Sequence, residues 1–92
     1  MRLNFKELKC FVGLSQTKVI YEDVRELFAD AIYNNGQGIA ALELARKIYH
    51  SDGEEEYSED EVELIKLYGN MGNPRFIEAL QIQIGEYDTT SK

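Results

Sequence analysis

The sequence predicts a mainly helical α+β domain, with a short amino-terminal β-hairpin packed on a bundle of about four short helices. Three observations carry this. Apolar residues recur at helical spacing in the stretches 23–34, 39–50, 59–69 and 74–85. Residues 1–21 instead alternate apolar and polar positions. The joints between the stretches hold residues that start or stop helices. One compact domain is expected over residues 1–86, with a disordered polar tail at 87–92.

In the first stretch Leu3 and Phe5 alternate with polar neighbours, as do Leu8, Cys10 and Val12, and Val19 with Tyr21. Two strands around the segment GLSQT make a hairpin, which needs helices against one face to be stable. The competing reading is a short helix from Asn4, with Phe5, Leu8, Phe11 and Val12 on one face.

Asp23 followed three residues later by Glu26 has the pattern of a helix cap, and Val24, Leu27, Phe28, Ala31 and Ile32 form one stripe behind it. Asn34, Asn35 and Gly36 supply residues tolerant of the left-handed conformation in which helices often end. The helix over 39–50 carries Ala41, Leu42, Leu44, Ala45, Ile48 and Tyr49, a wide apolar face expected of the central helix. Ser58 with Glu61 is a reciprocal capping box, and Tyr57 with Val62 can close over it as a hydrophobic staple. Asn73 with Pro74 begins the last helix in the same way, proline's missing N–H costing nothing at the first helical position. Its inward face is Phe76, Ile77, Leu80 and Ile84.

The net charge of −7 is unevenly placed: residues 1–20 carry +3 and residues 51–70 carry −7. Direct nucleic-acid binding is disfavoured, because it draws affinity from Lys and Arg. A basic protein surface is the natural complement. No apolar run approaches the roughly 20 residues of a membrane span. A single cysteine, Cys10, forms no internal disulfide, so a cytoplasmic setting is expected. Its apolar neighbours mark it as a buried thiol. His50, the only histidine, ends the second helix, where the dipole favours a cation.

An EF-hand is tested by its spacing. With Gly53 at the sixth loop position, the first ligand falls on Ile48, which has no oxygen to offer. Weak divalent-metal binding by Asp52, Glu54, Glu55 and Glu56 remains as an alternative. No nucleophile stands beside a base, and no phosphate loop is present, so neither catalysis nor a cofactor is expected.

The succession DVRELFADAIY, GIAALELARKIYHSDGEEEYSEDEVELIK and NPRFIEAL, over residues 23–80, resembles small acidic proteins carried by prophages and other mobile elements of gut bacteria. The resemblance implies an accessory or assembly role and assigns no functional residue. The expected function is therefore a non-enzymatic protein-interaction module for an unidentified partner, monomeric or homodimeric. Candidate partner-binding residues are Tyr49, Glu54, Glu55, Glu56, Tyr57 and Tyr68, with Asp23, Ser58, Glu61 and Asn73 as structural caps. A second reading is a mimic of DNA that inhibits a basic nucleic-acid-binding protein.

Overall fold

Asn4 decides how the chain begins. Its side-chain oxygen accepts the N–H groups of Lys6 at 2.9 Å and Glu7 at 3.0 Å, an Asx turn that breaks the period-two run after three residues. The structure, a computed structural model, describes residues 1–85. Strand β1 (Arg2–Asn4) therefore separates from β2 (Leu8–Phe11) and the two enter different sheets. β2 pairs antiparallel with β3 (Val19–Glu22), with Leu8 opposite Glu22 and Phe11 opposite Val19. This is the expected hairpin, closed by Val12 N–H to Lys18 O at 2.9 Å. β1 pairs instead with β4 (Glu54–Glu56), drawn from the acidic stretch, in the register Arg2 to Glu56, Leu3 to Glu55 and Asn4 to Glu54.

Four helices complete a mainly helical α+β fold: α1 (Arg25–Asn35), α2 (Gly38–His50), α3 (Glu59–Gly69) and α4 (Pro74–Ile84). At α3 the capping box forms in full, with Ser58 Oγ accepting from Glu61 N–H at 3.2 Å and Glu61 Oε1 accepting from Ser58 N–H at 2.8 Å. At α4 the Asn73 side chain accepts from Phe76 N–H at 2.9 Å, and Gly85 closes the helix at φ 95°. The expected tail at 87–92, and the last residue of the expected domain, lie outside the described residues.

One expectation, at the start of α1, is corrected. Asp23 does not stand at the N-cap position of α1, which Val24 occupies without a side-chain bond, although its Oδ1 still accepts the N–H of Arg25, the first residue of the helix, at 3.1 Å. Arg25 is the reason, since its guanidinium forks onto the Asp23 carboxylate at 3.0 and 2.7 Å and bonds the Ser51 carbonyl at 2.6 Å. That bond ties the start of α1 to the end of α2. α2 packs most extensively on α1 and reaches α3 through Lys47 Nζ, 3.0 Å from Glu61 Oε1.

The core gathers Leu3, Phe5, Leu8 and Cys10 from the amino-terminal segment with Phe28 and Ile32 of α1, Leu44 and Ile48 of α2, Ile65 of α3 and Leu80 of α4. Four aromatic rings run through it: Tyr57 to Phe5 at 5.7 Å, Phe5 to Phe28 at 5.3 Å and Phe28 to Phe76 at 5.0 Å, in edge-on or tilted contacts. α4 lies against β2, and Gln83 Oε1 accepts from Asn4 N–H at 2.5 Å. Among the described residues no helix is long and apolar enough to cross a membrane.

Candidate functional site

The acidic stretch is where the sequence concentrates its charge, and the structure answers four of its eight carboxylates, Asp52, Glu54, Glu56 and Glu61, from within. In β4, Glu54 and Glu56 flank Glu55 and so point to the face opposite it. Arg2 Nε meets Glu54 at 3.2 Å, the Met1 ammonium meets Glu56 at 2.6 Å, and Lys6 Nζ meets Asp52 at 2.8 Å. The Met1 ammonium holds the Glu56 carboxyl below its ordinary range, and Lys6 does the same for Asp52. Burial alone would raise Glu61, but the Ser58 N–H and the Lys47 ammonium at 3.0 Å bring it below the usual value. The opposite charges of residues 1–6 and 52–56 thus meet inside one molecule. All of these pairs are solvent-exposed or half-exposed, where an ion pair contributes little to stability. They align β1 on β4 and leave the strand's acids less available to a basic partner. Alternation of side chains also keeps the carboxylates of Glu54 and Glu55 from converging. Among the described residues no group of three or more His, Cys, Asp or Glu is placed to hold a metal ion.

Tyr57 is corrected outright as a partner-binding residue, because it is 1% exposed. Its ring stacks edge-on with Phe5, Lys47 Nζ lies 4.7 Å from the ring centre, and its hydroxyl makes no hydrogen bond to any described residue. Burial pushes its pKa up to about 12; the Glu55 and Glu61 carboxylates add to this and the nearby Ser51 hydroxyl offsets a part. Because the folded value lies above the ordinary 10, the folded state holds its proton longer than the unfolded chain. The stability this represents is complete below pH 10 and is lost as pH rises through 12. Two units correspond to about 2–3 kcal/mol. Urea unfolding of the wild type is expected to weaken by about that amount across this window, and Tyr57→Phe to remove this component. At pH 7 the Phe variant is expected to be as stable or about 1 kcal/mol more so, since an unpaired buried hydroxyl is lost. Equal alkaline slopes for the two proteins would contradict the assignment.

The remaining candidates do not share one surface. Tyr49 is 51% exposed at the end of α2, edge-on to His50 at 5.1 Å. Tyr68 is half-buried, and its hydroxyl accepts the Gln37 N–H at 3.4 Å. It lines a cleft of about 610 Å³ that touches none of Tyr49, Glu54, Glu55, Glu56 and Tyr57.

This cleft is the feature that sequence reasoning missed. It runs between α1, the α3–α4 connection with the first turn of α4, and the Glu22 end of the hairpin. Val24 and Phe28 form the floor and are buried, with Ala31, Tyr68 and Phe76 half-buried above them. Leu27 from α1 and Met71 from the α3–α4 connection line it while remaining 76% and 60% exposed. Its volume falls in the roughly 300–1,000 Å³ range of ligand clefts, and its lining has their usual character, apolar with a few polar groups. Glu22, Asn35, Asn73 and Arg75 are the polar groups. The thiol of Cys10 also reaches it, 3.8 Å from Glu22 Oε1 and 3.5 Å from the Leu8 carbonyl. Burial and the Glu22 carboxylate push that thiol above its ordinary pKa, the reverse of what a nucleophile needs. The sequence carried no signal for it: Val24, Leu27, Phe28, Ala31 and Ile32 read as one ordinary helical stripe.

No protein-family model, no curated protein and no solved structure matches this chain.

Proposed function

We infer that the protein is a non-enzymatic interaction module that holds another protein in the cleft between α1 and the α3–α4 connection. The observation that carries this reading is the pair Leu27 and Met71, two large apolar side chains left 76% and 60% exposed on different elements around one apolar floor. Apolar surface grouped about a concavity is where recognition sites concentrate, whereas scattered exposed apolar residues need no explanation. The acidic strand has a lesser part here than the sequence suggests, its carboxylates at 54 and 56 being paired with the chain's own cations. An accessory role in a mobile element rests on the resemblance alone and is the finer form of the same proposal.

The test uses three baits of the full chain in affinity capture from the source cells, each checked for helical content: wild type, Leu27→Glu/Met71→Glu, and Glu54→Gln/Glu56→Gln. A partner held by the wild type is expected to be lost from the first variant, by about 30-fold or more in affinity if these are central anchors. It is expected to stay on the second. Equal capture by all three baits, or loss only with the acid-to-amide pair, overturns the reading.

A further inference from the structure

Resting on that reading, we propose that the occupant of the cleft is an amphipathic helix of a partner protein, with an apolar face for the floor and Lys or Arg along the edge that meets α1. The helical form follows from where the backbone hydrogen bonds go. One wall is α1, whose amides and carbonyls are spent within the helix. The other is closed on itself: Met71 N–H bonds Tyr68 O at 3.1 Å, Gly72 N–H bonds Gly69 O at 3.1 Å and Phe76 N–H bonds the Asn73 side chain at 2.9 Å. Neither of these walls offers a ladder to an extended peptide, and the hairpin reaches the lining only at Cys10 and at Glu22, the last residue of β3. A helix laying side chains into the groove satisfies its own backbone and needs no such ladder.

The charge of the edge follows from which acids have partners. Asp23, Asp52, Glu54, Glu56 and Glu61 all form ion pairs. Of the several acids that form no ion pair among the described residues, Glu22, which accepts only the Cys10 thiol, lies in the cleft lining, and Glu26 and Asp30 lie on α1. Asp30 lies three residues beyond Leu27 and four beyond Glu26, so the three side chains are neighbours on the helix surface. The α1 lip therefore presents an apolar anchor beside unanswered carboxylates. Arg75 stands on the opposite wall, so the basic edge of the occupant is the one toward α1. The molecule's net charge of −7 steers such a partner from a distance.

A second copy of this chain is the weaker occupant. Two copies facing each other through the cleft gather six such carboxylates, Glu22, Glu26 and Asp30 from each, in one contact against two Arg75 side chains.

The probe is a pair of fluorescein-labelled model peptides of about four helical turns, with Leu at helical spacing and either Lys or Glu at every other position. They are titrated into the full-length protein by fluorescence anisotropy at low and high salt, and into ¹⁵N-labelled protein by NMR. The Leu/Lys peptide is expected to shift amides within 24–35 and 68–76 and to bind at least about tenfold more tightly than the Leu/Glu peptide, a difference that shrinks with salt. Ala31→Trp, which fills the cleft, is expected to weaken it about tenfold or more. Glu26→Lys/Asp30→Lys, on the solvent side of α1, is expected to reverse the preference without unfolding the chain. Equal binding of the two peptides at the cleft overturns the basic helix and leaves the interaction module standing. Leu/Lys shifts confined to 52–61 or to Val19–Glu22 place recognition on the acidic strand or the open sheet edge and overturn the inference. Self-association that shifts the cleft residues makes the occupant a second copy. No binding of either peptide, together with unchanged capture by Leu27→Glu/Met71→Glu, ends both readings.

Discussion

Phe5→Ala is expected to remove a large share of the stability of this protein. Phe5 is wholly buried although it belongs to no strand or helix, and it sits in the middle of the aromatic chain, 5.3 Å from Phe28 and 5.7 Å from Tyr57. Its carbonyl accepts the Val24 N–H at 2.8 Å, so the ring is positioned by the backbone that leads into α1. Truncating a buried phenylalanine to alanine costs about 3–5 kcal/mol, from lost transfer free energy and from the cavity left behind. At roughly 0.05–0.15 kcal/mol per residue, a chain of this length has a total of only about 5–14 kcal/mol. The Ala variant should show a collapsed urea midpoint with an unchanged slope, and Phe5→Leu a loss about half as large. A loss under about 1 kcal/mol for Phe5→Ala would mean the aromatic chain is not the spine of the core. The consequence reaches the cleft as well, since the same chain ends at Phe76 on its lining. Peptide binding should fall in the Ala variant in step with the fraction unfolded and persist in the Leu variant.

Those elements whose cause is local were legible in the sequence. Ser58 with Glu61, and Asn73 with Pro74, act over three residues, and α3 and α4 begin where those residues stand. The start of α1 was misread because Asp23 had a competitor two residues away in Arg25, whose guanidinium takes both carboxylate oxygens. The sheet of β1 and β4 was legible only in part. Three successive glutamates carry no alternation to mark a strand, so the period marks the amino-terminal strand alone, and its partner was set by the Asx turn at Asn4 and by pairing of its cations with acids more than forty residues away. Tyr57 carried two readings, staple and partner contact, and burial supports only the first. The cleft was invisible for a related reason. Leu27 belongs to the helical stripe and Met71 to a turn of no pattern, and nothing in either segment says that both are left uncovered. Exposure is a property of the whole packing, not of a period.

Gly36→Ala is expected to be more damaging than its backbone angles suggest. Gly36 has φ −78° and ψ 168°, a conformation any residue adopts, so the cost is not conformational. A methyl group there would lie 2.6 Å from the Ile32 carbonyl oxygen, 2.8 Å from Ala41 Cβ and 3.2 Å from the Tyr68 hydroxyl. The first two cannot swing aside, one being backbone at the end of α1 and the other a side chain of a single carbon in α2. Relief requires α1 and α2, the most extensively packed pair of elements, to part at their joint, at a cost of about 1–3 kcal/mol or more. Gly38, two residues on, is the control with the opposite physics: φ is +85° and the space around a Cβ is empty. There the penalty for alanine is that of the left-handed conformation, about 1–2 kcal/mol, and asparagine relieves much of it. The two sites therefore separate by rescue. Asn at 38 should recover stability relative to Ala in urea unfolding, whereas Asn at 36 should be no better than Ala, because it carries the same Cβ into the same wall. Recovery by Asn at 36 would show that the α1–α2 approach is looser than 2.8 Å implies. The Tyr68 ring, held at that joint through the Gln37 N–H, would then be free to reshape the cleft it lines.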